Sequence, residues 1–199
     1  MSIFISFEGG EGVGKTTQAK FLSKSLTNIN EENIITREPG GTELAEKLRK
    51  LILNNKTNIN NLEEILLLMA ARSNHINNVI LPNLNKGKIV ISDRFADSTF
   101  VYQGFVNKFG IPKIKKLHDQ LLNRFYPNYT FLFKLTTNEI ISRLKNRKNK
   151  NKYDKLDIKF HLSVIKGYKK ISNSKRFINI NASLSKLDKD KIILKKLGF

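Results

Sequence analysis

Residues 5–18 read ISFEGGEGVGKTTQ, an apolar stretch that runs into a glycine-rich loop and then a polar helix start. Within it, Gly9 to Thr16 satisfy G-x-x-x-x-G-K-[ST], the phosphate-binding P-loop. The motif works only as the turn between a strand and a helix, where backbone N–H groups converge on an anion. Here Ile3, Phe4 and Ile5 supply the strand, and Ala19, Phe21, Leu22 and Leu26 give the helical period that follows. The glycines let the backbone approach the phosphates closely, Lys15 is placed to reach the β and γ groups, and the Thr16 hydroxyl is placed to ligate Mg²⁺. The expected nucleotide-binding set is therefore Gly9, Gly10, Glu11, Gly12, Val13, Gly14, Lys15, Thr16 and Thr17.

Four further short apolar runs, at residues 34–36, 89–92, 130–135 and 177–180, read as buried strands separated by helical patterns. Alternating β and α predicts a five-stranded parallel sheet flanked by helices, an α/β fold of the P-loop NTPase kind. Helices are expected over 44–53, over a long apolar stretch at 62–84, over 111–126 between Pro112 and Pro127, and from Asn138 onward. That last helix runs into NRKNKNKYDK, too cationic to pack, which reads as a mobile basic lid at about 143–154. A chain of 199 residues with 40% hydrophobic content holds one sizeable core, and nothing in it resembles a linker, so a single domain over 1–199 is expected.

Met1 leads straight into the first strand and no run of eighteen apolar residues occurs, so the expected protein is cytoplasmic, without membrane span or signal peptide. The absence of cysteine excludes disulfides, thiolate metal sites and a Cys nucleophile. Thirty-six basic against 17 acidic residues give a net charge of +19, which raises nucleic acid as a partner. Yet Lys, Asn and Ile crowd the whole chain, the mix of an A/T-rich coding sequence, and no aromatics interleave with the lysines as in a strand-binding groove. No specific nucleic-acid partner is expected.

A P-loop alone does not separate a motor, a GTPase and a small-molecule kinase. Four more clusters bear on this. TREPGGT (36–42) puts Arg37 at a strand's C-terminal end, facing the ligand crevice of an open sheet. ISDRF (91–95) ends an apolar strand in Asp93, as a Walker-B strand does, with Arg94 beside it able to clamp a phosphate. DSTFVYQG (97–104) would present Tyr102 and Gln103 toward whatever Arg94 holds. LLLMAARSNH (66–75) places Arg72 on an apolar helix, where its charge needs a partner.

Taken together and in this order, these clusters, the P-loop and the basic lid resemble the thymidylate kinase family over nearly the whole chain. The resemblance implies a nucleoside monophosphate kinase-like fold and transfer of a phosphoryl group from MgATP to dTMP. It implies that Arg37 and Arg94 grip phosphates, that Glu11 faces the sugar 3′-hydroxyl, and that Arg72 reads the thymine carbonyl. Tyr102 would crowd the 2′ position and Gln103 read the base edge, with Ser98, Pro39 and Leu68 completing the acceptor site and a cis peptide before Pro39. Thr16 and Asp93 would hold the metal, and Lys15, Arg94 and Glu11 would act in catalysis. Because Gly12 fills the P-loop position where some members carry an arginine, the lid would supply the catalytic charge, assigned to Arg147 with Arg143 nearby. A homodimer is implied, through the long apolar helices.

Two departures stand out. The lid is rich in lysine, which lacks the planar fork that matches phosphate oxygens, and Leu68 stands where the family usually places a Phe that stacks on thymine. Other acceptors, another deoxynucleotide or nucleoside, thus stay open, as do a nucleic-acid-stimulated P-loop ATPase and a low-activity homologue.

Overall fold

The computed structural model describes residues 2–54, 56–145, 153 and 156–199. Its centre is β1 (Ile3–Glu8), every residue of which is buried, as a strand covered on both faces requires. Around it stand β2 (Asn33–Arg37), β3 (Ile89–Asp93), β4 (Tyr129–Lys134) and β5 (Phe177–Asn181) in the order β2-β3-β1-β4-β5, all parallel. Ile5 lies in register with Ile91 on one side and Tyr129 on the other. These are the five expected strands, displaced by a residue or two at their ends.

The pleat sorts β1 by face. Ile3, Ile5 and Phe7 join a core with Leu22 and Leu26 of α1 (Lys15–Asn28) and, from the C-terminal end of the chain, Ile193 and Leu197 of the last helix. Phe4, on the opposite face, joins Val90, Phe95 and Phe100. Ser6 shares that second face, and its hydroxyl is satisfied by Thr130 at 3.1 Å. On the second face also packs α3 (Asn61–His75), opened by an Asn60–Glu63 capping box, and against α3 lies α2 (Glu43–Leu53), capped by Thr42. A π-helical turn, Ile76–Ile80, carries α3 into α4 (Leu81–Asn85), so the long apolar stretch is one helical rod with a widened middle.

After β3 come α5 (Ala96–Thr99) and a π-helical segment, Phe100–Val106, in which the Asn107 N–H reaches back to the Tyr102 carbonyl at 2.9 Å. Next is α6 (Ile111–Leu121), shorter than the 111–126 expected from its prolines. Asn123 and Arg124 adopt left-handed φ of 49° and 53°, which no helix continues through. The remaining helices are α7 (Thr137–Lys145), α8 (Ile158–Ile171) capped by Asp157, and α9 (Lys186–Leu197) capped by Ser185. No helix among the described residues is long and apolar enough to cross a membrane. Most of the expected lid, Arg147 included, lies outside the described residues.

Candidate active site

Because all five strands run the same way, their C-terminal ends form one edge, and the loops after β1, β2 and β3 meet there. The loop after β1 is the P-loop. Gly9 takes φ 137°, and a Cβ on it would lie 2.5 Å from the Phe133 carbonyl oxygen, so only glycine lets the loop pass β4. Gly14, at φ 90°, turns the chain into α1. Val13 is buried in the core beneath and contributes backbone only.

Lys15 crosses the loop and donates to the carbonyls of Gly9 at 3.0 Å and Gly10 at 2.7 Å. Burial, together with the nearby Arg94 charge, pulls its ammonium pKa down to about 8. The Thr16 hydroxyl donates to the Asp93 carboxylate. Two hard oxygen donors side by side at the loop's edge suit Mg²⁺, which prefers one or two protein ligands plus substrate phosphates. No cluster of three or more acidic, His or Cys side chains that would make an all-protein cage occurs among the described residues.

Arg94 follows β3 with a left-handed φ of 73°. Its guanidinium donates to the Gly9 carbonyl at 3.1 Å and the Ser98 hydroxyl at 3.0 Å, and pairs with Glu11 at 2.8 Å. The Tyr102 hydroxyl lies 3.2 Å from it and donates to Glu11 at 3.1 Å, so P-loop, β3 and the π-helical segment are tied at one point. Beneath, Glu8 accepts from the Phe95 N–H at 2.7 Å, the Ser98 hydroxyl at 2.6 Å and the Tyr168 hydroxyl at 2.7 Å. Burial, and after it the Asp97 charge, pushes the Glu8 carboxyl up to about 7.

The other end of the site rests on a buried ion pair. Arg72 donates through Nε to Glu38 at 2.7 Å and through a terminal nitrogen to the Thr99 hydroxyl at 2.8 Å, with its guanidinium 5.3 Å from the centre of the Phe95 ring. The other Glu38 oxygen meets His75 at 3.0 Å, whose Nε2 pairs with the Thr36 hydroxyl at 2.6 Å. Burial alone would raise the Glu38 carboxyl, but Arg72 and His75 hold it below the ordinary carboxylate range. The peptide between Glu38 and Pro39 is cis. Arg37 is half exposed and forked onto Glu46, with contacts of 2.9–3.1 Å.

These residues line or support one cavity of about 640 Å³. Of the residues singled out by sequence, Glu11, Gly12, Gly14, Lys15, Thr16, Thr17, Arg37, Pro39, Leu68, Arg72, Asp93, Arg94, Ser98, Tyr102 and Gln103 line it. Gly9 and Gly10 shape its rim without lining it. Sequence reasoning passed over Arg49, Ile52 and Leu53 of α2, which also line it. Arg49 sits three and four residues before those apolar neighbours, which was a usable signal for a shared helix face. Glu38 and Glu8 were passed over as well, since a buried carboxylate looks like any other in sequence. Arg143 reaches the Gly12 carbonyl at 3.5 Å and that of Ala182 at 3.3 Å, bringing the 179–183 loop beside the P-loop.

With this geometry in place, the likeness to known proteins is decisive: the thymidylate kinase family model matches residues 7–193. The chain belongs to the thymidylate kinase family. It is 44% identical to the thymidylate kinase of Wolbachia pipientis over 172 residues, 85% of each chain. It is 41% identical to that of Mycoplasma mobile over 188 residues, 90% of each. The crystal structure of thymidylate kinase from Ehrlichia chaffeensis superposes with a TM-score of 0.79 at 33% identity, covering 100% of this chain and 99% of that one. The P-loop nucleoside monophosphate kinase fold expected from the sequence is thus the fold observed, and the chain is an enzyme of phosphoryl transfer between nucleotides.

Proposed function

We propose that this thymidylate kinase transfers the γ-phosphoryl group of ATP to the 5′-phosphate of dTMP, giving dTDP and ADP, a step toward dTTP for DNA replication. The observation that carries the reading is one continuous cavity with a phosphate-gripping end at Lys15, Thr16, Asp93 and Arg94 and a base-reading end at Leu68, Arg72 and Gln103. Thr16 and Asp93 would hold Mg²⁺, which would supply positive charge beside the donor phosphates.

Lys15 and Arg94 offset the charge that spreads over the equatorial oxygens of the transferred group, and Arg37 and Arg49 hold the acceptor phosphate in line. Glu11 accepts from the sugar hydroxyl, while Tyr102 fills the space a 2′-hydroxyl would need. Arg72 and Gln103 address the polar edge of the base. No general base is required, because the acceptor phosphate is already an anion. Arg143 adds charge beside the P-loop, and Arg147 is the lid arginine assigned to catalysis. The 199 residues act as one domain in the cytoplasm with no specific nucleic-acid partner. Two copies associate through α2 and α3, whose Leu44, Leu51, Leu62 and Leu66 are each about half exposed.

The test is a coupled ADP-release assay with MgATP and dTMP, dUMP, dGMP, dCMP or UMP, with no-acceptor and added-DNA controls. The expected result is a rate that depends on dTMP, is lower with dUMP, and is unmoved by DNA. Selectivity over dUMP rests on one methyl group, so about 10–200-fold is the range to look for. ADP release indifferent to the acceptor, or preferring another base, overturns the assignment. Sedimentation of Leu66→Lys against the parent checks the dimer.

A further inference from the structure

The segment from the end of β3 through the π-helical turn has two working faces. Phe95, Ser98, Thr99, Tyr102 and Gln103 line the active cavity, while Asp97, Phe100, Gly104 and Phe105 line a second cavity of about 730 Å³. Among the described residues the two cavities share no lining residue. The other walls of the second are the start of α6, the end of α8, Tyr126 before β4 and Arg176 before β5, so it lies toward the N-terminal ends of those strands, away from the P-loop edge.

Its interior is apolar, with Phe100, Phe105, Ile111, Tyr126 and Ile171, and its rim is cationic. Among the described residues the acid in its wall is Asp97, which is buried and accepts from Arg176 through both oxygens at 2.6 Å. Arg176 is thereby neutralised and lies 5.2 Å from the centre of the Tyr126 ring. Lys108, Lys115 and Lys170 are exposed, and none of them is ion-paired among the described residues. The Lys170 ammonium stands 5.7 Å from the centre of the Phe105 ring, which puts charge and flat apolar surface side by side. Lys115 lies one turn after Ile111 on α6. Gly110 caps that helix without a side chain, and its first turn lines the cavity, so uncapped amides add partial positive charge there.

The volume and the mix of apolar walls with a few convergent polar groups are those of a small-molecule site. Three unpaired ammonium groups and a helix N-terminus match a ligand with several negative charges, where a single carboxylate would answer one of them. The rings match a flat body. We propose that this second cavity binds a nucleoside triphosphate, its phosphate chain along Lys108, Lys115, Lys170 and the start of α6, and its base against Phe105 and Tyr126. The inference does not depend on which acceptor the active cavity takes.

The test is isothermal titration calorimetry of the enzyme saturated with P1-(5′-adenosyl) P5-(5′-thymidyl) pentaphosphate, so that both ends of the active cavity are occupied. The titrants are dTTP, ATP, inorganic tripolyphosphate and thymidine. Either nucleotide should bind as a single further molecule per chain, tripolyphosphate about tenfold or more weakly for want of a base to stack, and thymidine not measurably. Lys115→Glu/Lys170→Glu should weaken both nucleotides about tenfold or more. Lys20→Glu/Lys24→Glu, the same change of charge on exposed positions of α1, should leave them within about threefold. Phe105→Leu, which keeps an apolar side chain and removes the ring, should weaken the nucleotides about fivefold or more and leave tripolyphosphate within about twofold.

No further binding to the parent, tripolyphosphate binding as tightly as dTTP, or equal weakening by the two lysine pairs would overturn the inference. A parent that binds the extra nucleotide yet releases no ADP with dTMP would overturn the function proposed above and leave this second site standing.

Discussion

The two ends of the cavity are built by opposite means. The phosphate end is built around a contiguous stretch of chain, Gly9 to Thr17, with one lysine laid across it and only Asp93 and Arg94 joining it from the end of β3. The base end is assembled from residues far apart in sequence, with Thr36, Glu38, Arg72, His75 and Thr99 in one buried chain of hydrogen bonds. The first arrangement puts electrostatics where charge develops and costs the fold little to change. The second makes the proposed acceptor site part of the core, so on that reading specificity and stability share the same side chains.

Glu38→Ala gives the largest expected effect, because it leaves Arg72 buried and unpaired at a cost of about 3–5 kcal/mol. For a domain of this size that lowers Tm by roughly 10 °C, measurable by calorimetry or circular dichroism. A Tm within a degree or two of the parent would break the comparison, since the base end would then carry no stability. Lys15→Ala is the converse case: kcat should fall by about 10²–10³, the effect of removing one preorganised donor, while Tm barely moves. Matched thermal melts and ADP-release rates separate the two outcomes.

The Glu8 prediction concerns the floor between the ends. Its carboxyl is raised from the ordinary 4.5 to about 7, so in the fold it keeps its proton where the unfolded chain has lost it. The stability it confers is therefore present at low pH and fades as pH rises from about 4.5 through about 7. Burial pulls His118 down to about 4, which adds stability as pH rises over much of the same window, so the readable signal is a difference: the Tm of the parent relative to Glu8→Gln should fall as pH rises from about 4.5 to about 7. A Tm difference that does not change with pH would assign the titration elsewhere.

Smallest of all should be Glu46→Gln. The Arg37–Glu46 pair is partly exposed, and such pairs contribute about 0–1 kcal/mol, so Tm should shift by no more than about 4 °C. Any change should appear in the KM for the acceptor, through the freed Arg37.

How far the sequence could be read follows the same division. The five strands were legible because parallel strands buried on both faces leave short apolar runs, and the P-loop because its glycines and lysine are consecutive. Arg72 was legible as a charge needing a partner, but Glu38 as that partner was not, because the pairing spans 34 residues and depends on how α3 packs against the loop after β2. Arg49 was missed for the same reason, since which face of a helix meets a cavity is decided by packing. The end of α6 was misjudged because two residues in left-handed φ, neither of them glycine, stop the helix, and side chains of Asn and Arg do not announce that conformation.

The π-helical winding of residues 100–106 carries Tyr102 and Gln103 together. A π turn holds one residue more than an α turn, and each residue advances a helix by about 100°. Removing one residue from this stretch would let it rewind to an α-helix with its two flanks nearly in phase, so the side chains re-aimed would be those inside the stretch, Tyr102 and Gln103 among them. The direction in which Tyr102 and Gln103 face is therefore set by the number of residues in this segment as well as by their identity.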